Sequence, residues 1–565
     1  MVRNLNQDED ELTRTIDTAT RLLLKGACAE ALSMLHSALL RFPANASILI
    51  RYADALYQAG EVGQARETYR NALALEQGEF QAWYGCGMAE YSLGAYGAAV
   101  ECLRGALELS PIDAEVHLYL GESLFHLGEI TTAIHHLQLT ADSGDSKLHL
   151  MAHQDIAAFI PGSLAHGNDL VLKARRAWAT LEAKGVKPSH TYERASRSGQ
   201  IRIGYVSSFF GDRNWMKAVW GLINQHDRSE FAIHLFADGS APATASGYVK
   251  DARDFVHDIT NLSNEEAAQR IGQAEIDILV DLNGYSAPER LGMFMRRPAP
   301  KLVSYFNMYA TTGMPAFDYL IGDPVVIPVE EERFYTETVL RVSRCFVGLS
   351  VTYPVPMVAP PPSLRTRRIT FGFLAPQYKL NSHVISAYAQ ILRAAPGTRL
   401  VFKSISLGES SNRRWLYEQF NRCGVVQDRI DAEGPAEHFE FLRTYDRIDI
   451  ALDTFPYNGG TTTMEALWQG VPVLTFNGDR WSSRISGSLL LAAGLQEWVM
   501  PSVEMFVQRA IELATDNRTP TTLKELRAQM RHHLLRSAVC DTRMLCREIE
   551  QLYRTIVTTD CTRIG

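Results

Sequence analysis

The sequence predicts a helical repeat solenoid followed by two α/β halves, each built on a parallel sheet. One observation is a 34-residue period that runs through the first third of the chain. A second is the alternation of short apolar runs with helical stretches from residue 201, which is typical of α/β domains. The third is a proline-rich break near residue 353 that divides this portion into two. A chain of 565 residues with 46% hydrophobic residues can bury the three or four cores that this plan requires.

Glycine and alanine mark the repeat. Four glycines stand 34 residues apart, and an alanine follows each by five residues: Gly26 and Ala31, Gly60 and Ala65, Gly94 and Ala99, Gly128 and Ala133. Glycine permits a tight turn between two helices, and alanine lets the helices approach closely. The pattern resembles the tetratricopeptide repeat, so residues 12–145 are predicted to form a solenoid that binds a protein partner. The alternative is a solenoid that serves only dimerisation or packing.

The rest of the chain divides at changes of pattern. The predicted segments are a helical linker (146–200), a first α/β half (201–352), a proline-rich linker (353–365), a second α/β half (366–515) and C-terminal helices (516–565). Strands are expected at 201–208, 231–236 and 276–280 in the first half, and at 369–374, 399–404, 448–452 and 471–476 in the second. Two such halves imply a cleft between them, which is the default place for a ligand.

Composition excludes several classes of protein. A net charge of −8 argues against retention on nucleic acid by bulk charge. No run of 18 apolar residues predicts a membrane span, and the polar N-terminus lacks the apolar core of a secretory signal. The eight cysteines form no CxxC pair, which favours reduced thiols and a cytoplasmic location.

A glycine- and hydroxyl-rich segment at residues 452–474 is the densest chemical signal. A strand ends there, Gly459 and Gly460 follow, and Thr461 opens a helix. Glycines permit close approach of the backbone, and free amides at a helix N-terminus hold a diphosphate together with threonine hydroxyls. Glu465 lies in the first turns of this helix and can reach a ribose diol. The alternative is an ordinary helix with Thr461 as its N-cap.

Further motifs give this segment a family resemblance. They are Gly-Tyr-Val-Ser-Ser (204–208), Asn-Gly-Tyr (283–285), Arg-Pro-Ala-Pro (297–300), Thr-Thr-Gly (311–313), Pro-Gln-Tyr-Lys-Leu-Asn (376–381) and Ser-Gly-Ser-Leu-Leu (486–490). Over almost its whole length the chain resembles the peptide O-GlcNAc transferase and SPINDLY family, in particular its bacterial tetratricopeptide-repeat members. The resemblance implies two Rossmann-like halves in the GT-B arrangement. It also implies inverting, metal-independent transfer of a sugar from a nucleotide donor to Ser or Thr of a protein.

The resemblance assigns roles by position. Lys379 would neutralise the diphosphate as it leaves, a role that suits the compact charge of lysine. Glu465 would bind the ribose, and His438 would lie near the nucleobase unless it is a plain surface histidine. The other residues assigned to the nucleotide sugar are Gln377, Gly459, Gly460, Thr461, Thr462 and Thr463. The first half would supply the acceptor side, with Asn283, Tyr285, Thr311 and Thr312 lining the acceptor and sugar pocket.

Three positions depart from the family pattern. Arg213 stands where members that use UDP-GlcNAc carry a histidine, and arginine cannot act as a general base. Asp212 beside it is the candidate to accept the proton, while Arg213 would meet an anionic acceptor or donor. Residues 305–313 stand where the family usually has Gly-Tyr-Pro-Gly-Thr. Gly460 stands where the GlcNAc enzymes place a histidine and the fucosyl branch does not.

These departures leave the donor open. UDP-GlcNAc is favoured, and GDP-fucose, UDP-glucose or a CMP-nonulosonic acid for a flagellin-type acceptor are the alternatives. A non-catalytic repeat scaffold is the alternative from another class. No cofactor and no metal are expected, because the sole Asp-x-Asp motif is Asp8-Glu9-Asp10 in the polar N-terminus. The expected partners are therefore a protein acceptor and a nucleotide sugar.

Overall fold

The computed structural model describes residues 2–187 and 199–558. These residues form two compact units, one made of residues up to 152 together with 404–419, and one made of all the others. Two parts of the sequence predictions, the linker at 188–198 and the tail at 559–565 with Cys561, lie outside the described residues. Across the described ranges, every helix is too short or too polar to span a bilayer.

The first unit begins with four helix pairs. Their helices are α1 (Val2–Leu24), α2 (Cys28–Arg41), α3 (Ala46–Gln58), α4 (Val62–Leu75), α5 (Phe80–Ser92), α6 (Tyr96–Leu109), α7 (Ala114–His126) and α8 (Ile130–Ala141). The glycine of each repeat lies in the turn within a pair and has a left-handed φ, from +72° at Gly94 to +90° at Gly128. The alanine five residues later is fully buried in all four repeats. The 34-residue period thus follows from one turn conformation and one close helix contact.

Two helices lead from the repeats into the α/β portion: α9 (Ser146–Phe159) and α10 (Asn168–Glu182). Pro161 and Gly162 lie in a short 3-10 turn that ends the run of α9. The buried face of α10 carries Arg175 and Trp178. The guanidinium of Arg175 is fully buried and donates to two backbone oxygens of the first half, as described below.

The first half is a seven-stranded parallel sheet. Its strands are β1 (Ile201–Ser207), β2 (Phe231–Ala237), β3 (Phe255–Asp258), β4 (Ile278–Asp281), β5 (Lys301–Tyr305), β6 (Tyr319–Gly322) and β7 (Thr338–Arg341), with helices α11 (Arg213–Met216), α12 (Trp220–Ile223), α13 (Asn264–Gln273) and α14 (Leu291–Phe294). The strand order is β3-β2-β1-β4-β5-β6-β7. Tyr205 of β1 pairs with Leu235 on one side and Val280 on the other. The order reverses between β1 and β4, where open sheets of this kind bind ligands.

The second half is a six-stranded parallel sheet with the order β10-β9-β8-β11-β12-β13. Its strands are β8 (Thr370–Phe373), β9 (Arg399–Lys403), β10 (Ile430–Glu433), β11 (Ile450–Leu452), β12 (Val473–Phe476) and β13 (Val499–Met500). Its helices are α15 (Ser363–Thr366), α16 (Ser382–Ala394), α17 (Ser410–Arg422), α18 (His438–Arg443), α19 (Thr461–Trp468), α20 (Ile485–Ala492) and α21 (Val503–Thr515). The order reverses between β8 and β11, so this sheet also has a ligand crevice beyond its strand ends.

Most of α17 belongs to the repeat unit although its sequence lies in the second half. The side chain of Asn412 is fully buried; its Oδ1 accepts from the amide of Gly97 (2.9 Å), and its Nδ2 donates to the carbonyl of Gly94 (2.8 Å). A Cβ atom on Gly97 would lie 2.6 Å from the carbonyl oxygen of Ser411. The glycine at position 97 therefore permits the close approach of α6 and α17.

The chain ends in two helices, α22 (Thr519–Leu534) and α23 (Thr542–Thr558). The α23 helix packs on α12 of the first half through a buried cluster in which Nδ1 of His226 hydrogen-bonds to Oε1 of Glu550 (3.1 Å). The thiol of Cys546 lies 3.5 Å from the same His226 nitrogen. These three side chains are the one group among the described residues that could hold a metal ion, and they bond to one another. The cluster attaches the C-terminal helix to the first sheet.

Candidate active site

The residues that the sequence predicts for the site come together at the carboxyl ends of the strands. They follow β1 (Asp212 and Arg213), β4 (Asn283 and Tyr285), β5 (Thr311 and Thr312), β8 (Gln377 and Lys379), β10 (His438) and β11 (Gly459, Gly460, Thr461, Thr462, Thr463 and Glu465). In each sheet the strand order reverses beside one of these loops, between β1 and β4 and between β8 and β11. Two crevices of this kind, one from each half, define the candidate site.

Lys379 is a buried cation in an aromatic setting. Its Nζ donates to the carbonyl of Asn458 (2.6 Å) and lies 4.2 Å from the ring centroid of Tyr457. Burial lowers the pKa of Lys379 to about 8, and the nearby carboxylate of Asp453 offsets only part of that effect. Burial also raises the pKa of Tyr378 to about 12, so this neighbour is neutral. A buried ammonium whose described hydrogen-bond partner is a neutral carbonyl is suited to an anionic ligand.

Asp453 fixes the glycine-rich loop after β11. Its Oδ1 accepts from the amides of Gly459 (2.7 Å) and Thr454 (2.9 Å), and its Oδ2 accepts from the hydroxyl of Thr475 (2.7 Å). A Cβ atom on Gly459 would lie 2.6 Å from Oγ1 of Thr463, so only glycine fits there without displacing a neighbour. A Cβ atom on Gly460 would have its nearest neighbour at 3.6 Å. The Gly460 position thus has room for the first atom of a side chain.

The helix after this loop begins without a side-chain cap. Its N-cap residue is Gly460, and α19 starts at Thr461. The alternative of an ordinary helix with Thr461 as N-cap is therefore wrong, because Thr461 already belongs to the helix. The hydroxyl of Thr463 instead hydrogen-bonds to Ser486 (2.8 Å), whereas Thr461 and Thr462 are half-buried. Amides at an uncapped helix N-terminus are donors for an anion.

Glu465 of α19 meets two basic groups. Nε2 of His438 lies 2.8 Å from its Oε1, and Nζ of Lys217, from the first half, contacts the same oxygen. Burial by itself would raise the pKa of Glu465, but Lys217 and His438 outweigh that effect and hold the pKa below its usual value. His438 is half-buried, so the surface-histidine alternative is wrong. The sequence predictions missed Lys217, because its partner lies 248 residues further along the chain.

Asp212 and Arg213 begin the short helix after β1. Oδ1 of Asp212 caps this helix by accepting from the amides of Asn214 (2.7 Å) and Trp215 (3.3 Å). Nε of Arg213 donates to the carbonyl of Ala245 (2.8 Å). The Arg213 guanidinium also lies 5.0 Å from the ring centroid of Tyr353, which is the distance range of a cation–π contact.

The four residues predicted for the acceptor and sugar pocket form a buried network. Oδ1 of Asn283 accepts from the amide of Ser208 (2.8 Å), and the hydroxyl of Tyr285 donates to the carbonyl of Thr312 (2.7 Å). The hydroxyl of Thr311 donates to Glu337 (2.8 Å), which also accepts from the amide of Thr312 (2.6 Å). These polar groups therefore hold the shape of the loop after β5.

Arg175 of α10 completes that loop, and the sequence predictions missed it. Its Nη1 donates to the carbonyls of Met308 (3.2 Å) and Thr311 (2.6 Å), and its guanidinium lies 4.0 Å from the ring centroid of Tyr285. The available signal is an arginine on the apolar face of an amphipathic helix. The segment predicted as a linker thus supports the candidate site.

The same loop has unusual backbone conformations. Phe306 and Tyr309 have φ of +77° and +56°, values that favour glycine and are strained for aromatic residues. The ring of Tyr309 packs 5.4 Å from that of Tyr457, next to Lys379, and 6.3 Å from that of Trp481. The loop after β5 in the first half therefore contacts the lysine-bearing wall of the second half.

Comparison with known proteins follows this geometry. The sequence model of a protein family described as glycosyl transferase family 41 matches residues 162–350 and 363–549. Two models described as tetratricopeptide repeat and TPR repeat match residues 22–85 and 87–128. A solved structure of a mutant Thermobaculum terrenum O-GlcNAc transferase is similar, with a TM-score of 0.76 and 28% identity over 91% of this chain and 97% of that one.

Curated plant proteins are similar to about two thirds of the chain. One is a probable UDP-N-acetylglucosamine–peptide N-acetylglucosaminyltransferase SPINDLY of Petunia hybrida, 28% identical over 69% of this chain and 42% of its own length. The SPINDLY protein of Arabidopsis thaliana is 31% identical over 63% of this chain and 39% of its own length. The chain thus spans about two fifths of the length of these relatives. The predicted fold class and the family resemblance are confirmed.

Proposed function

The chain belongs to glycosyl transferase family 41, and from that premise we propose that it transfers a sugar from a nucleotide donor to Ser or Thr of a protein. The observation that carries the proposal is the pairing of buried Lys379 with the uncapped N-terminus of α19 at one crevice. Both are cationic or partly positive groups without a carboxylate bonded directly to them among the described contacts. That combination suits the diphosphate of a nucleotide sugar.

The donor is proposed to lie along the loops of the second half. The diphosphate sits against Lys379 and the amides that open α19, where Gly459 lets it approach the backbone. Glu465 accepts from the ribose hydroxyls, and His438 lies beside the nucleobase. Gln377, buried on the same loop as Lys379, is proposed to bind the nucleotide sugar as well. The similar curated proteins are named for UDP-N-acetylglucosamine, which makes UDP-GlcNAc the favoured donor.

The proposed reaction is a single displacement with inversion. The acceptor hydroxyl attacks the anomeric carbon from the face opposite the diphosphate, and the bond between that carbon and the phosphate oxygen breaks. The electron pair leaves with the nucleoside diphosphate, whose growing charge meets Lys379 and the positive end of α19. A Lys379 with a pKa of about 8 is mostly protonated at neutral pH. These groups offset the charge of the leaving group in a mechanism for which we propose no metal.

The proton of the acceptor hydroxyl needs a base on the acceptor side. Arginine stays protonated and cannot take it, so Arg213 is not that base. Asp212 is proposed to be the base that takes this proton. Its Oδ1 caps α11, whereas its Oδ2 is not part of the cap. Arg213, held by Ala245 and Tyr353, is proposed to contact an anionic group of the acceptor or the donor. The repeat solenoid is proposed to bind the acceptor protein.

A nucleotide screen tests the donor side of this proposal. The melting temperature of the wild-type protein and of Lys379→Met is measured with UDP, GDP and CMP and with their sugar conjugates. A ligand at 100 times its Kd stabilises the fold by about 2.7 kcal/mol. We expect a selective shift with UDP and UDP-GlcNAc in the wild type and a smaller one in Lys379→Met. A preference for GDP or CMP would mean that the donor is a GDP-sugar or a CMP-sugar. The absence of a shift with any nucleotide would favour the non-catalytic scaffold.

A further inference from the structure

Lys217 is a buried cation that reaches from the first half to the second. It directly follows α11, and its side chain is 1% exposed. Its Nζ contacts Oε1 of Glu465 and lies 3.3 Å from Oδ1 of Asn214. Glu465 is itself buried, with a side chain 5% exposed. A buried ammonium and a buried carboxylate in direct contact are costly to separate, so each side chain constrains the position of the other.

The geometry at Glu465 distinguishes its two oxygens. Lys217 and His438 both contact Oε1, from the first half and from the second half respectively. Neither of these contacts involves Oε2. A carboxylate can accept about four hydrogen bonds, so Oε2 keeps the capacity to accept from a vicinal diol. Because two contacts hold Oε1, they also set the rotation of the carboxylate about its axis. That rotation determines the direction in which Oε2 points.

We propose that Lys217 is a positioning residue that orients Glu465 for the ribose of the donor. The inference rests on the proposed function, because it takes Glu465 as the group that binds the ribose. Lys217 itself touches no part of the nucleotide in this account. Through Lys217 and His438, both halves contact the ribose-binding carboxylate. The carboxylate therefore has the orientation that binds the ribose only while Lys217 of the first half stays in place.

The consequence is a selectivity that the lysine controls. A hydrogen bond to a charged group is worth on the order of 10- to 100-fold in affinity. Without Lys217, the carboxylate keeps His438 but loses its fixed rotation, and the bond to the ribose loses its geometry. The diphosphate contacts at Lys379 and α19 do not depend on Lys217. Loss of Lys217 should therefore weaken binding through the ribose and leave the diphosphate contribution unchanged.

The experiment compares UDP with 2′,3′-dideoxy-UDP by isothermal titration calorimetry on the full chain. We expect the wild type to prefer UDP by on the order of 10- to 100-fold. In Lys217→Met that preference should fall to nearly one, while the Kd of the dideoxy analogue stays within about twofold of wild type. Lys217→Arg, which keeps a cation at the position, should restore part of the preference. Lys217→Met added to Glu465→Gln should cause no further loss of preference, because both changes remove the same interaction.

A matched control is Lys403→Met. This lysine is also largely buried and bonds Glu433 (3.0 Å), but it belongs to strand β9 and to none of the proposed contacts with the donor. It should keep the wild-type preference.

The outcomes separate the inference from the proposed function. A wild type that binds no nucleotide overturns the proposed function and this inference with it. A wild type that binds both nucleotides equally overturns the ribose role of Glu465. A wild type that prefers UDP, with Lys217→Met keeping the same preference or binding UDP more tightly, overturns the positioning role alone. If Lys217→Met does not fold, the polar replacement Lys217→Gln takes its place, since a wild-type preference in a variant that lacks the cation would contradict the proposal.

Discussion

The buried setting of Lys379 predicts that nucleotide binding weakens above a pH of about 8. Burial lowers the pKa of the free lysine to about 8, whereas a bound diphosphate favours the ammonium form and raises that pKa. The binding energy is therefore fully available below pH 8 and is lost as the pH rises through the pKa of the free lysine. About half of Lys379 is protonated at pH 8 and about a tenth at pH 9, which raises the apparent Kd about twofold and about tenfold.

Other groups near the lysine do not produce this profile. Burial raises the pKa of Tyr378 to about 12 and that of Tyr457 well above its usual value, so neither titrates below pH 9.5. Burial raises the pKa of Asp453, and hydrogen bonds from two amides and a hydroxyl oppose that effect. The phosphate groups of UDP lose their last proton near pH 6, and its uracil ring loses one at the alkaline end of the range, in the same way for wild type and Lys379→Met.

The assay is calorimetric titration of UDP at constant ionic strength between pH 6.5 and 9.5. At pH 8.5, titrations in two buffers of different ionisation enthalpy should show an uptake of protons on UDP binding in the wild type that is absent in Lys379→Met. Lys379→Met should bind more weakly at neutral pH, by on the order of 10- to 100-fold, and its Kd should vary much less than that of the wild type between pH 7 and 8.5. Lys403→Met should keep the wild-type profile. A wild-type Kd that is constant over this range, or a decline of the same size in Lys379→Met, would refute the assignment of Lys379 to the diphosphate.

Three further substitutions test the supports of the site and of the repeat unit. Asp453→Asn removes one acceptor of the carboxylate that binds the amide of Gly459. The free energy of unfolding, measured by urea denaturation, should fall by about 1–3 kcal/mol, and UDP should bind more weakly. Wild-type values for both quantities would contradict this role of Asp453. Gly97→Val places side-chain atoms against the carbonyl of Ser411 and should cost about 1–3 kcal/mol without changing UDP affinity, and a neutral effect would show that the helices separate freely. Arg175→Met leaves two buried carbonyls of the loop after β5 without this donor. The KM for UDP-GlcNAc should therefore rise, while the inhibition constant of UDP stays unchanged. If the affinities for UDP-GlcNAc and for UDP fell equally, the substitution would have unfolded the site as a whole.

The repeat was predictable because one local requirement recurs in it. A turn between antiparallel helices at this spacing needs a left-handed residue, and glycine adopts that conformation at the lowest cost. Gly26, Gly60, Gly94 and Gly128 record it four times. The packing of α17 on α6 was not predictable, because Asn412 and Gly97 lie 315 residues apart and carry no shared pattern.

The sheets were predictable only in part. The expected strands match β1, β2, β4, β8, β9, β11 and β12, which are apolar runs bounded by turns. The strand β3 was not predicted because it is an exposed edge strand. Its Phe255 and Val256 are half exposed, and a histidine and an aspartate follow them. The strand β6 is only four residues long, and its parallel partners β5 and β7 escaped as well. Length is not the reason, because β4, β8 and β12 are equally short and were expected; β5 and β7 each have only two consecutive apolar residues between polar ones.

The candidate site was predictable where it lies in local motifs. The loop of Gly459 and Gly460 and the lysine after β8 each combine a strand end with a recognisable short sequence. Lys217 and Arg175 were missed because each acts across a large separation, on Glu465 and on the carbonyl of Met308. Nothing in the neighbouring sequence of either residue indicates its partner. The structure alone shows that the first half and the helix before it contribute Lys217 and Arg175 to the candidate site.

Transfer of a sugar to protein is the central claim, and mass spectrometry of an expression host tests it most directly. Wild-type chain and Lys379→Met are expressed at equal levels in a bacterial strain that makes UDP-GlcNAc and lacks protein O-glycosylation of its own. Peptides from each culture are searched for Ser or Thr that carry one N-acetylhexosamine. We expect modified peptides with the wild type and none with Lys379→Met. The same set of modified peptides in both cultures would contradict the claim.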